Sequence, residues 1–335
     1  MITKTIKYFD LNQIADSGQC FRMLPLRESE TGHDKISPSL QQSRAAASMP
    51  SSYQVISKTH YLKLIQQGEE ISFFCPEEEF PYWETYFDLN TDYGAILSSI
   101  DEQDDYLKKA AAYGSGIRIL RQDLWEMIIT FVISQQKTIP AIRSLVETLS
   151  ETYGEQFPVP DECGQSGTYF SFPSPEQLNQ ASLWDLQALK LGYRAKYIKR
   201  LCEDACSGAL DLNAIRQMSY PEAMTCLQGF YGIGEKVANC VCLFGLHHID
   251  AFPVDTWIRK ILLREYAPKS RCAKKIPQTR LCQELVRENF SQYHGCAGVM
   301  QQYIFYYERA NPNGPQEAGG SPDANGHLPD TRPRR

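Results

Sequence analysis

No run of 18 consecutive apolar residues occurs in this chain, which excludes a transmembrane helix. No two cysteines are spaced Cys-x-x-Cys. The eleven present are scattered and odd in number, which argues for reduced thiols in a cytoplasmic setting rather than a disulfide framework. The same dispersion, with Cys272, Cys282 and Cys296 far apart, argues against an iron–sulfur cluster. The first 25 residues lack the pattern of a secretory signal. Positive charge is also scarce overall, with 34 Lys and Arg against 40 Asp and Glu, a net charge of −6. That deficit is local. Residues 69–106 hold twelve acidic side chains and no Lys or Arg, and setting them aside turns the remainder from −6 to +6. Basic residues cluster at 186–202 (Lys190, Arg194, Lys196, Lys199, Arg200, no acid) and at 256–280, where eight face Glu265 alone. Charge distribution governs phosphate binding more than net charge does.

A length of 335 residues allows more than one packed core, and 42% hydrophobic content is ordinary for a soluble protein. Three short β-rich runs, YQVIS, YLKLI and ISFFC, lie between 52 and 75. With the strand-like start KTIKYFDL they predict a small antiparallel sheet that must pack on something else. From about 102 the pattern is helical. DLWEMIITFVISQQ is apolar nearly all round, so it reads as a central buried helix. Residues 155–174, with three prolines and two glycines, read as a loop. The expected fold class is α+β: a β-rich domain at 1–100 with a mobile insertion at 26–51, packed on an all-helical domain at 101–312. A disordered tail is expected at 313–335.

The densest stretch is LQGFYGIGEKVANCVCLFGLHHIDAFPVDTWIRK, residues 227–260. Gly232 and Gly234 bracket Ile233 in a turn ahead of a helical run from Glu235 to about Leu246, and Lys236 falls in its first turn. A glycine hairpin at a helix N-terminus offers amides to a phosphate. A lysine beside it serves as a nucleophile once its ammonium loses a proton. Asp255, nineteen residues on and after a proline, is a natural cap for the helix beginning at Thr256. Each part alone has an ordinary reading as turn, solvated charge or cap. Phosphate grip, amine and carboxylate together suggest chemistry on a DNA sugar.

This stretch resembles the helix-hairpin-helix, Gly/Pro-Asp superfamily of DNA glycosylases, whose lysine and aspartate fall on Lys236 and Asp255. Ser17-Gly18-Gln19-Cys20-Phe21-Arg22, YFDLNTDY (86–93), ISQQKTI (133–139) and LGYRAKYI (191–198) resemble segments of its 8-oxoguanine DNA glycosylase branch. The resemblance implies a DNA glycosylase and AP lyase of base excision repair acting on double-stranded DNA that contains 8-oxoguanine. It implies a monomer with no cofactor, no metal and no membrane partner, cytoplasmic and nucleoid-associated. Lys236 and Asp255 would be catalytic. Gly18, Cys240, Gln301 and Phe305 would hold the expelled base. Gln136, Tyr193 and Arg194 would fill the gap and meet the orphaned cytosine, and Gly232, Gly234, Val237 and Trp257 would hold the backbone, with room for a monovalent cation at the hairpin. From pattern alone Phe305 and Cys240 read equally well as core, and Tyr193 as a helix-start aromatic. Two departures stand out. Ala141 takes the place of an arginine of the eukaryotic relatives, and Trp257 that of a phosphate-binding histidine, which makes the chain resemble bacterial-type members. Two other readings stay open: a glycosylase for another damaged base, and a non-catalytic helix-hairpin-helix module.

Overall fold

The computed structural model describes residues 1–26, 51–270, 273 and 275–310. The expected insertion, apart from its two end residues, and the expected tail at 313–335 lie outside the described residues. Strands β1 (Ile2–Thr5), β2 (Met23–Pro25), β3 (Ser51–Ser57), β4 (His60–Gln67) and β5 (Glu70–Phe74) form one antiparallel sheet in the order β1-β5-β4-β3-β2. Gly68 turns β4 into β5 with φ +63°, a conformation that costs glycine nothing. Alternation sorts the sheet's two faces. Val55, Leu62, Leu64, Ile71 and Phe73 pack with Leu11, Ile14, Trp83 and Phe87. Ile56 and Tyr61 point the other way.

That outer face corrects the loop expected at 155–174. Strands β6 (Gln156–Pro158) and β7 (Thr168–Phe170) pair antiparallel there. Cys163 and Tyr169, with Phe157 and Val159 beside them, pack on Ile56 and Tyr61. Lys63 Nζ donates to the Cys163 carbonyl at 2.9 Å, and the Cys163 thiol to the Phe74 carbonyl at 3.2 Å. Three-residue strands are too short for a period to show in sequence. Burial against the sheet makes them.

Helices α1 (Leu11–Asp16), α2 (Phe80–Tyr86), α3 (Tyr93–Ser98) and α4 (Asp105–Tyr113) lead into the helical body. Asp10, Asp92 and Asp104 cap α1, α3 and α4 by accepting first-turn amides. Residues 116–122 strap the two parts together. The Leu120 amide donates to Gln19 Oε1 at 2.8 Å, and Arg118 donates to the carbonyls of Lys7, Tyr8 and Asp88. All ten residues of α5 (Leu124–Ile133) are buried, as the apolar-all-round pattern requires. Phe21 meets its Phe131 edge-on, with ring centroids 6.1 Å apart, so the first domain's signature segment touches the central helix.

Around α5 stand α6 (Ile139–Tyr153), α7 (Pro175–Asn179), α8 (Leu183–Ala188), α9 (Arg194–Cys206), α10 (Leu212–Arg216), α11 (Tyr220–Gln228) and α12 (Glu235–Phe244). Ser174, Ser182 and Ser219 form capping boxes with Gln177, Asp185 and Glu222. The chain closes with α13 (Thr256–Ile261), a π-helical turn at Leu262–Tyr266, α14 (Gln278–Phe290) and α15 (Ala297–Ala310), which packs on α4 and α13. The fold is α+β, a five-stranded antiparallel sheet followed by a helical body. Among the described residues no helix is long and apolar enough to cross a membrane.

Candidate active site

The hairpin between α11 and α12 is built around one glycine. Gly232 has φ +93°, and a Cβ there would lie 2.4 Å from Cγ of Tyr197. Backbone conformation and the tyrosine ring therefore both demand glycine. Buried Ile233 pins the turn, its amide donating to the Phe230 carbonyl at 3.1 Å. Gly234 is the N-cap of α12 and brings no capping side chain. The first-turn amides of α12, Val237 among them, thus meet no cap, and the positive end of the helix dipole sits with them. An anion fits there.

Lys236 leaves the first turn of α12 toward α5. Its Nζ donates to Ser134 Oγ at 3.3 Å and lies 5.3 Å from the Phe131 ring centroid. Ser134 in turn donates to the Phe131 carbonyl at 2.8 Å, so its lone pairs are left for the lysine. One helical turn on, Cys240 is buried. Burial pushes its thiol pKa up, opposed chiefly by Lys236. Asp255 caps α13, its Oδ1 accepting from the Ile258 amide at 2.8 Å. Burial raises its carboxyl above the ordinary carboxylate range, while the Ile258 amide and Lys236 pull the other way. Lysine, thiol and carboxylate thus share one electrostatic neighbourhood, in which the thiol is buried and the lysine and carboxylate are partly so.

A second cluster surrounds Gly18, which has φ +79°. A Cβ there would stand 3.0 Å from Cε1 of Phe305 and 3.4 Å from Cδ1 of Ile139. The residues around this glycine are buried scaffold. Ser17 Oγ donates to the Ile14 carbonyl at 2.7 Å, and Gln19 Nε2 to the Arg118 carbonyl at 2.8 Å. Arg22 donates to Glu147 at 2.9 Å and to the Phe170 carbonyl at 2.6 Å. One turn before Phe305, buried Gln301 donates to the Pro253 carbonyl at 3.2 Å and accepts from Gln302 at 2.9 Å. That bond ties α15 to the segment carrying Asp255.

The expected gap-filling residues lie beside the hairpin. Gln136 is exposed, with φ +53°. Its neighbour Gln135 donates to the Gly232 carbonyl at 3.0 Å. Tyr193 is 43% exposed. Arg194 differs from an outward-facing contact. Only 5% exposed, it donates to the Leu191 carbonyl at 3.3 Å and to the Gln135 carbonyl. The desolvated guanidinium meets two carbonyls through its terminal nitrogens and the Tyr193 ring, 4.4 Å from its centre, while its buried Nε has no hydrogen-bond partner among the described residues. Trp257 stands half-buried on the first turn of α13, with Lys260 Nζ 6.0 Å from its ring. Ser134, Gln135 and Tyr197 escaped the sequence reading. All three lie within the ISQQKTI and LGYRAKYI segments, so segment likeness is the signal that could have found them.

Residues 1–128 match the family model described as 8-oxoguanine DNA glycosylase, N-terminal domain. Residues 129–288 match that described as HhH-GPD superfamily base excision DNA repair protein. The N-glycosylase/DNA lyase of Saccharomyces cerevisiae is 35% identical over 162 residues, 45% of this chain and 42% of that protein. The N-glycosylase/DNA lyase OGG1 of Arabidopsis thaliana is 30% identical over 217 residues, 64% of this chain and 58% of that one. The chain thus spans about half the length of these two curated relatives. A solved structure of Clostridium acetobutylicum 8-oxoguanine glycosylase/lyase, in complex with dsDNA containing cytosine opposite to 8-oxoG, superposes with a TM-score of 0.75 at 30% identity. It covers 92% of this chain and 98% of that one.

Proposed function

This chain belongs to the 8-oxoguanine DNA glycosylase family of the helix-hairpin-helix base excision repair superfamily, and we propose that it excises 8-oxoguanine from double-stranded DNA and then cuts the strand. The observation that carries this reading is the meeting of Lys236, Cys240 and Asp255 beside an uncapped hairpin and a glycine-walled second cluster.

The lesion nucleotide turns out of the stack before any bond changes. Amides of Gly232, Gly234 and Val237 hold a backbone phosphate, with Trp257 nearby. Tyr193 and Gln136 occupy the gap. Arg194 leaves its two carbonyl partners to meet the orphaned cytosine. The base enters between Phe305 and Cys240, with Gln301 at its Watson–Crick edge. Discrimination rests on one proton. N7 of 8-oxoguanine carries a hydrogen that the Gly18 carbonyl accepts, whereas N7 of guanine presents a lone pair that the same carbonyl repels.

Lys236 Nζ, as the neutral amine, attacks C1′ of the deoxyribose. The glycosidic bond breaks, and the base leaves with the electron pair and takes up a proton. Asp255 stabilises the positive charge that develops on the sugar. As the sugar ring opens and Nζ gives up its remaining proton, a Schiff base forms between Nζ and C1′. Loss of a C2′ proton then expels the 3′ phosphate and nicks the strand. Nothing in this sequence of steps calls for a redox cofactor or a catalytic metal. The protein acts as a monomer on duplex DNA, with cytosine the preferred opposite base.

The test is single-turnover cleavage of duplexes carrying 8-oxoguanine opposite each of the four bases, with borohydride trapping of the adduct. Cleavage led by the cytosine duplex, with an adduct that Lys236→Gln abolishes, is expected. An adduct retained by Lys236→Gln overturns the nucleophile. Activity on alkylated bases but not on 8-oxoguanine overturns the substrate.

A further inference from the structure

Two arginines from different helices converge on the turn that carries Gly18. Arg143, on α6, donates to the Ala15 carbonyl at 2.7 Å and lies 3.4 Å from Asp16 Oδ1. Arg309, in the last turn of α15, donates to the Asp16 carbonyl at 2.8 Å. The same guanidinium lies 5.4 Å from the Phe305 ring centroid. Ala15 and Asp16 end α1, so their carbonyls form the negative end of that short helix, where cations bind well. Ser17 and Gly18 follow at once. Arg309 therefore touches both sides of the second cluster, the turn that presents the Gly18 carbonyl and the Phe305 ring packed against it.

The carboxylate of Asp16 is 62% exposed, and an ion pair at such a group is worth little. The backbone carbonyls carry the weight, because bonds to them set where the turn lies whatever the salt or pH. We propose that Arg143 and Arg309 are specificity-positioning residues: they clamp the α1–Gly18 turn from two sides and fix the Gly18 carbonyl relative to the Phe305 ring. Neither touches the reacting atoms. The functional half of this inference rests on the reading of Gly18 above. The mechanical half does not.

Arg309→Met and Arg143→Met keep the aliphatic stem and remove the donors, and Arg309→Lys keeps a cation near the ring. Three readouts separate the outcomes: amide hydrogen exchange at residues 17–20, single-turnover excision of 8-oxoguanine opposite cytosine, and cleavage of a preformed abasic site, which needs Lys236 but no base pocket. Each methionine variant is expected to exchange faster at the turn and to lose about tenfold in excision, the scale of one charged hydrogen bond. Abasic-site cleavage stays unchanged, and Arg309→Lys falls between wild type and Arg309→Met. Unchanged exchange overturns the clamp. Equal losses in excision and abasic cleavage reduce it to general stability and overturn the specificity role. A wild type that cleaves abasic sites but spares 8-oxoguanine overturns the substrate reading instead, and the exchange result then decides the clamp by itself.

Discussion

Replacing Gly232 by alanine tests the hairpin where two separate constraints coincide. The first is backbone: at φ +93° an L-residue costs about 1–2 kcal/mol. The second is steric. The new methyl would stand 2.4 Å from Tyr197 Cγ and 2.7 Å from its Cβ and Cδ2, and overpacking of this kind costs about 1–3 kcal/mol. Gly232→Ala should therefore destabilise by about 2–5 kcal/mol. A double-mutant cycle with Tyr197→Gly separates the two terms. Alanine at 197 would not serve, because its own Cβ would still clash. Glycine within α9 costs about 1 kcal/mol, but that cost enters both arms and cancels. In the glycine background only the backbone term remains, so the cycle should return a coupling of about 1–3 kcal/mol. Urea unfolding of the four proteins measures it. Additivity within about 0.5 kcal/mol would refute the packing argument. If the hairpin amides hold a phosphate as proposed, the same alanine should also weaken duplex binding while leaving its salt slope nearly unchanged, because amides carry no net charge.

Asp255→Asn should lose most excision activity yet raise stability at neutral pH. Burial holds the folded carboxyl above its ordinary value, so the folded state favours the protonated form, and stability is lost as pH rises through the folded value. Thermal unfolding against pH should show the asparagine advantage vanish below the ordinary carboxylate range, and equal melting temperatures at neutral pH would contradict the burial argument. Glu126, buried in the first turn of α5, is pushed up to about 8 by burial, with Arg22 opposing and Asp123 and Glu147 adding to it. It should erode stability as pH climbs from about 4.5 to about 8, the interval between its ordinary and folded values. Glu126→Gln should flatten that limb, and an unaltered limb would locate the loss elsewhere. Ala141→Arg should sharpen the preference for cytosine by roughly ten- to a hundredfold, the worth of one charged hydrogen bond. Excision rates opposite all four bases check it, and an unchanged ratio would mean that the position does not reach the orphaned base.

By itself the sequence determined whatever rests on neighbours in the chain. Alternation made β3, β4 and β5 legible, a run apolar on nearly every side made α5 a core helix, and Gly-Ile-Gly ahead of a helical run made the hairpin. Asp255 could be read as a cap because capping is decided within four residues. Tertiary structure alone decided which side chains meet. Tyr197 claims the space that Gly232 leaves, Ser134 receives Lys236, and Gln135 ties its loop to the hairpin. Arg194 turns inward to carbonyls. The strands at 156–170 exist because the outer face of the sheet covers their apolar side chains. Arg143 and Arg309, 128 and 293 residues from their carbonyl partners, close on one turn. Local patterns survive in sequence because the backbone's own geometry imposes them. Contacts across a hundred residues follow from the packing of whole helices, and no period in the chain records which faces will be pressed together.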